Sequence, residues 1–260
     1  MLRDLIVAIG IATGSLFGFG LAASQELQPG IIGDDDRVAI DSNAPPWKSI
    51  GHINIDGYRT VIKCSGVLVA PNVVLTAAHC VIDRRTNTAF PPYRIHFLQN
   101  VHGTRMAGHA KAKCLRSPSL YQSGSGDLQN SPPRQQKHPR LLARDVVAIV
   151  LAEPLAVDST PLLDEHDIKP GLRLVHASYP ADRRYRLMAD LQCRLLGVVQ
   201  HLWLTDCDTH PASSGGPIFA RIGDTLKLAA IMIGGAQRRF TMAVPAAEWP
   251  ELAGGARCTM

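Results

Sequence analysis

Cys64-Ser65-Gly66-Val67-Leu68-Val69 runs through Ala70-Pro71-Asn72 into Val73-Val74-Leu75-Thr76-Ala77-Ala78-His79-Cys80. Two short apolar runs rich in β-branched residues, on either side of a Pro-Asn turn, predict an antiparallel hairpin. The second run delivers a histidine and a cysteine at its end. Two more segments set polar chemistry at the ends of apolar runs in the same way. Arg144-Asp145-Val146-Val147-Ala148-Ile149-Val150-Leu151 puts a carboxylate at the mouth of an apolar strand. Asp206-Cys207-Asp208-Thr209-His210-Pro211-Ala212-Ser213-Ser214-Gly215-Gly216-Pro217-Ile218 puts a serine before a Gly-Gly-Pro turn that enters another.

These three residue types suit one chemistry. A serine hydroxyl is a poor nucleophile until a neighbouring base takes its proton. A histidine can be that base and afterwards the acid, and a buried carboxylate holds the imidazole in the required tautomer. Small residues after Ser214 let backbone N–H groups converge on a developing oxyanion. Taken singly, each residue has a plainer reading: a capping serine, a core histidine, a strand-edge aspartate. Their joint occurrence carries the argument.

Outward from these segments the chain continues as short β-like runs between turns, at 50–55, 94–98, 172–177, 187–196, 217–220, 226–233 and 240–244. Many short strands at regular spacing predict an all-β barrel or sandwich. A short terminal helix is expected over 246–252, limited by Pro250. The 260 residues are 46% hydrophobic and 19% charged, with 22 Gly and 18 Pro, which excludes fibrous and disordered classes. The chain is basic, at +5. Aromatics are only 5% and no Lys/Arg run is interleaved with them, so no nucleic-acid partner is expected.

The N-terminus reads as an export signal over 1–24: a polar start with Arg3, an apolar stretch over 5–21, and the small residues Ala22-Ala23-Ser24. A retained anchor helix is the alternative. Residues 25–31 form a possible short propeptide, and 32–260 the folded domain. After signal removal no membrane association is expected, and the protein is expected to be a secreted or periplasmic monomer. Six cysteines in an exported chain imply three disulfides, with fifteen pairings open. Residues 122–140, with Ser-Gly repeats and a Gln/Lys/Arg/His mixture, read as a polar insertion loop. Cys207 and His210 have the Cys-x-x-His spacing of a zinc ligand pair, but no second pair completes a set, so no metal or cofactor is expected.

Together the three segments resemble the trypsin/chymotrypsin-like serine proteases, which use this order of His, Asp and Ser. Gly33-Asp34-Asp35-Asp36-Arg37, Pro46-Trp47 and the brief spacing from Asp145 to Ser214 are most similar to the bacterial branch containing glutamyl endopeptidases. The resemblance implies two six-stranded antiparallel β-barrels with the active site in the cleft between them. It implies His79, Asp145 and Ser214 as catalytic residues and the N–H groups of Ala212 and Ser214 as the oxyanion hole. It implies that Asp208, Thr209, Ile233, Gly234 and Gly235 contact a protein or peptide substrate, the last three by strand addition. It also pairs Cys64 with Cys80, Cys193 with Cys207 and Cys114 with Cys258.

The sequence departs from the family at several places. Ser213 stands where animal trypsins carry the Asp that pairs with a newly cleaved N-terminus. Ala212 stands where Gly is usual. Asp208 matches the base of the trypsin specificity pocket, or alternatively caps a loop beside Cys207. Met232 falls where glutamyl endopeptidases carry a substrate-binding His. The expected function is an exported serine endopeptidase acting through an acyl-enzyme. The alternative is a catalytically silent binding protein on the same fold.

Overall fold

The computed structural model describes residues 30–260 apart from 42–43, 58–61, 84–85, 87, 118–141, 159, 237–238, 255–257 and 259–260. The export signal, most of the propeptide segment and the 122–140 insertion lie outside the described residues. Among the described residues, sixteen strands carry the fold. In chain order they are β1 (Val38–Ala39), β2 (Ile50–Ile55), β3 (Ile62–Ala70), β4 (Val73–Thr76), β5 (Ile82–Asp83), β6 (Thr88–Ala89), β7 (Ile95–Gln99) and β8 (Gly108–Arg116). Then come β9 (Val147–Leu151), β10 (Leu174–Ser178), β11 (Met188–Asp190), β12 (Leu195–Val199), β13 (Leu202–Thr205), β14 (Pro217–Ile222), β15 (Thr225–Ala236) and β16 (Phe240–Pro245).

The first half is a closed six-stranded barrel, ordered β2-β3-β4-β9-β8-β7. The Pro71-Asn72 turn makes the β3–β4 hairpin as the sequence predicts, with Val67 opposite Leu75. Ile50, Ile53, Val74, Leu75, Phe97 and Ile149 are buried in this half, each under 2% exposed.

The second half is a sheet ordered β1-β11-β10-β14-β15-β16-β13-β12. It curls until its far strand returns to β10. Arg173 and Arg194 form an antiparallel bridge there, and Leu174 N donates to Cys193 O at 2.7 Å while Leu195 N donates to Leu172 O at 3.0 Å. The 187–196 run, expected as one strand, is therefore bent. Its first part, β11, pairs with β10, and its continuation, β12, pairs with β13. This curled sheet is the second barrel.

Strand β10 and the 217–220 part of β14 are buried on both faces, so successive residues there are withdrawn from water without alternation. Leu174 and Ile218 point into the second barrel beside Trp203 and the Cys193–Cys207 pair. Val175 and Phe219, one residue on, join the larger apolar cluster that also holds the first-barrel residues. Period-two alternation thus makes the same strands both barrel wall and seam. Fully burying each such side chain contributes about 1.5–3 kcal/mol.

The two chain ends cross over. Strand β1 pairs with β11 of the second half before the chain enters the first barrel. At the other end, the short helix α1 (Pro250–Ala253) begins on Pro250 and packs against β4 and β9. Cys258 is bonded to Cys114 of β8. The Arg116 guanidinium donates to the carbonyls of Glu251 at 2.6 Å and Gly254 at 3.1 Å.

Candidate active site

His79 lies on the single 3-10 turn Ala78–Val81 that follows β4. The turn is tied back by the Cys64–Cys80 disulfide, with Cα atoms 5.9 Å apart. Asp145 lies just before β9, its N–H bonded to Leu142 O. Strands β4 and β9 are neighbours, with Thr76 opposite Val147, so their ends bring the two residues together. Asp145 Oδ2 is 2.6 Å from His79 Nδ1, and Asp145 Oδ1 accepts from the His79 backbone N–H at 2.8 Å. The carboxylate side chain is 15% exposed and the imidazole 32%. The acid is largely withdrawn from water while the ring remains accessible. Asp145 thus faces the Nδ1 side of the ring.

Ser214 arrives from the second half on the turn before β14. Its carbonyl accepts from Ser65 N at 2.9 Å. Ser65 lies on β3 directly after Cys64, so this bond fixes the serine beside the histidine turn. Gly215 follows with φ +83. A Cβ there would meet Thr76 Oγ1 at 2.0 Å and Ser65 O at 2.2 Å. Both the positive φ and the lack of space demand glycine.

The loop before Ser214 is closely pinned. Pro211 O accepts from Ala181 N at 2.7 Å. Because the peptide is planar and trans, the Ala212 N–H points the opposite way. Ala212 has φ +74, the left-handed conformation that Gly usually supplies, at about 1–2 kcal/mol of strain for an L-residue. Its carbonyl accepts from the Ser65 hydroxyl at 3.0 Å. The N–H groups of Ala212 and Ser214 have no acceptor among the described residues.

Ser213 is fully buried. Its hydroxyl accepts from Ser178 Oγ at 2.9 Å and from His210 N at 3.2 Å. The position before Ser214 is therefore neutral and satisfied locally. The N-terminal segment docks elsewhere. Asp208, 2% exposed, accepts from Ile32 N at 2.8 Å on one oxygen and from Asp36 N at 2.9 Å on the other. Thr209 N donates to Gly30 O at 3.1 Å. Arg37 then pairs with Asp35 and Asp182. The Asp208 carboxylate thus holds the incoming 32–36 segment. Burial pushes its carboxyl above the usual range, against the two N–H donors that lower it.

Thr209 and Gly235 lie side by side, and Gly30 forms an antiparallel bridge with Thr209. A Cβ on Gly235 would sit 3.6 Å from Thr209 Cγ2 and 3.7 Å from Gly30 Cα. The β14 ladder stops at Ile231, so the β14-side edge of residues 233–235 is unpaired among the described residues. Met232 is fully buried in the second-barrel core and offers no polar group to a ligand.

The disulfides Cys64–Cys80, Cys193–Cys207 and Cys114–Cys258 are all formed. The sulfurs of Cys64 and Cys80 lie near a His79 nitrogen, within 4.8 Å, but are bonded to each other. Cys207 of the Cys-x-x-His pair is likewise bonded to Cys193. Neither group offers the thiolate a metal would take.

Ser65 and Ser178 are parts of this arrangement that the sequence does not mark. Ser65 is only the residue after Cys64 in the sequence, and Ser178 ends an apolar strand. No sequence pattern marks a hydroxyl that will bond a loop more than thirty residues away.

Two barrels, with a carboxylate–histidine pair on one and a strained serine turn on the other, define the class of protein at hand. The profile of the trypsin-like peptidase domain family matches residues 64–226, and the chain belongs to that family. The structure is similar to a solved structure of a Glu endopeptidase in complex with MPD. Its TM-score is 0.66 at 19% identity, covering 85% of this chain and 96% of that one. The chain is also similar to the CLIP domain-containing serine protease B15 of Anopheles gambiae, 41% identical over 44 residues. That stretch spans 17% of this chain and 12% of the mosquito protein.

Proposed function

We propose that this protein is an exported serine endopeptidase with Ser214 as nucleophile, His79 as general base and acid, and Asp145 as the group that orients His79. The observation that carries the reading is the double contact of Asp145 with the ring and the backbone of His79, beside a serine turn bonded to the same barrel. Ser214 Oγ bonds the peptide carbonyl carbon as its proton passes to His79 Nε2. The carbonyl oxygen becomes an oxyanion and accepts from the N–H groups of Ala212 and Ser214. Collapse breaks the C–N bond, and the amine leaves with the proton from His79. Water then attacks the acyl ester, gives a proton to His79, and releases the acid and free Ser214. An extended substrate adds along the open edge of residues 233–235. The three disulfides support an oxidising, extracytoplasmic setting.

A fluorophosphonate probe tests this reading. The oxidised protein is expected to be labelled, and the Ser214→Ala and His79→Ala variants to remain unlabelled. Equal labelling of wild type and Ser214→Ala would overturn it.

A further inference from the structure

Strand register puts three arginines in one row. Arg173 bridges Arg194 directly. On its other side, the ladder that pairs Leu174 with Ala220 runs on to Arg173 and Arg221, where Arg221 N donates to Arg173 O at 3.0 Å. Directly opposed residues of antiparallel strands point to the same face, with Cβ atoms about 5 Å apart. That face is the outside of the second barrel. Leu172, Leu174, Cys193, Leu195 and Ala220, on either side in sequence, are all buried. The three arginines, with Leu191 and Gln192, line a concavity of about 360 Å³.

Opposed like charges in a sheet are destabilising. Among the described residues none of the three has an ion-pair partner, whereas Arg37 and Arg94 both do. Asp206 stands next to Arg194, but its carboxylate accepts from the Arg194 backbone N–H. Planar guanidiniums match the oxygens of a phosphate group in fork geometry. Ser178, at the other end of β10, bonds the nucleophile loop. The row is thus about 17 Å from that loop along one strand.

We infer that Arg173, Arg194 and Arg221 form an anion site for a phosphate group, separate from the peptide-cleaving site. The inference does not depend on peptidase activity. Occupancy neutralises the row and would hold the enzyme against phosphate-bearing material while the opposite end of the barrel works.

Calorimetric titration with inorganic pyrophosphate at about 150 mM NaCl tests it, beside sedimentation with phosphatidic acid-containing vesicles. Wild type is expected to bind one or both probes saturably. The Arg173→Gln/Arg221→Gln variant is expected to lose at least tenfold in affinity, and Lys111→Gln, at an exposed position of β8 in the first barrel, to bind as wild type. Pyrophosphate binding identifies a soluble phosphate compound as ligand, and vesicle binding alone identifies a lipid headgroup. With no probe added, relief of repulsion is expected to leave the arginine variant's melting temperature equal to or above that of wild type. No saturable binding to either probe, or equal binding by the arginine variant, would overturn the site.

Discussion

The hydroxyl of Ser65 donates to the carbonyl of Ala212 at 3.0 Å. The same oxygen accepts from Tyr179 N at 2.9 Å, while Ser65 N holds the Ser214 carbonyl and Ser65 O accepts from Thr76 Oγ1 at 2.7 Å. One fully buried residue of the first barrel therefore engages both ends of the Ala212–Ser214 peptide pair from the second. The left-handed Ala212 persists because its carbonyl has this partner.

Ser65→Ala removes the hydroxyl and leaves a partly buried carbonyl and a buried N–H without this partner, a loss of about 1–3 kcal/mol. If Ser65 positions the oxyanion donors, kcat on a peptide substrate is expected to fall about tenfold, with KM within about twofold. Steady-state kinetics separates this from a general loss of fold, which would lower the active fraction and leave kcat per labelled site unchanged.

Gly215→Ala is expected to be far more damaging. The added carbon would overlap Thr76 Oγ1 and Ser65 O at a residue with φ +83, joining strain to steric overlap. A destabilisation of more than about 3 kcal/mol is expected, read as a large drop in melting temperature. A Gly215→Ala protein that melts with wild type would contradict the described turn.

Asp208 gives an expectation about specificity. Both its oxygens accept from backbone donors of residues 32 and 36 and the residue is 2% exposed, so a substrate cation would reach it only by displacing that segment. Peptide amides with Arg or Lys before the scissile bond are expected to be cleaved no faster than those with Ala or Leu. Asp208→Asn is expected to leave that ranking unchanged while costing about 2 kcal/mol of stability, since hydrogen bonds to a charged group are worth about 1.5–3 kcal/mol each. A strong Arg/Lys preference abolished by Asp208→Asn would show the opposite.

His176 makes stability depend on pH. The ring is buried, with Nδ1 3.2 Å from Pro217 O, and burial lowers its pKa to about 4 from 6.5. The folded state holds it neutral while the unfolded state takes up a proton below pH 6.5. Its contribution is therefore complete above pH 6.5 and is lost as pH falls toward 4, on the order of 3 kcal/mol in all. His52, lowered to about 3 by burial, acts in the same direction. Denaturant unfolding of His176→Gln across pH 4–7 is expected to show a shallower slope than wild type.

Much of the site was readable in the sequence because its chemistry sits at strand ends, where motif and strand pattern coincide. The limits of β2 and β4 match the expected runs for the same reason. Strand β8 was not readable, since its Ala/Lys alternation over 110–113 has weak β propensity. It forms because β7 and β9 both pair with it. The β12–β13 hairpin turns on Gln200 and His201, at φ +46 and +71, where Asn-Gly is the recognisable signal. The donors to the Asp208 carboxylate, and Ala212, Ser214 and Tyr179 around Ser65, are more than a hundred residues away in the chain. Such contacts leave no local mark.

Each barrel wears the other's end of the chain. The incoming segment is fastened to the second barrel through β1 and Asp208 before it builds the first, and the outgoing one is locked onto the first after it finishes the second. Neither half can be excised as a self-sufficient piece: cutting between them strips each of an arm that closes its partner. The molecule is accordingly expected to melt in one step. A nick in the connection between the barrels should leave two fragments that stay clasped in their native arrangement until the Cys114–Cys258 bridge is reduced.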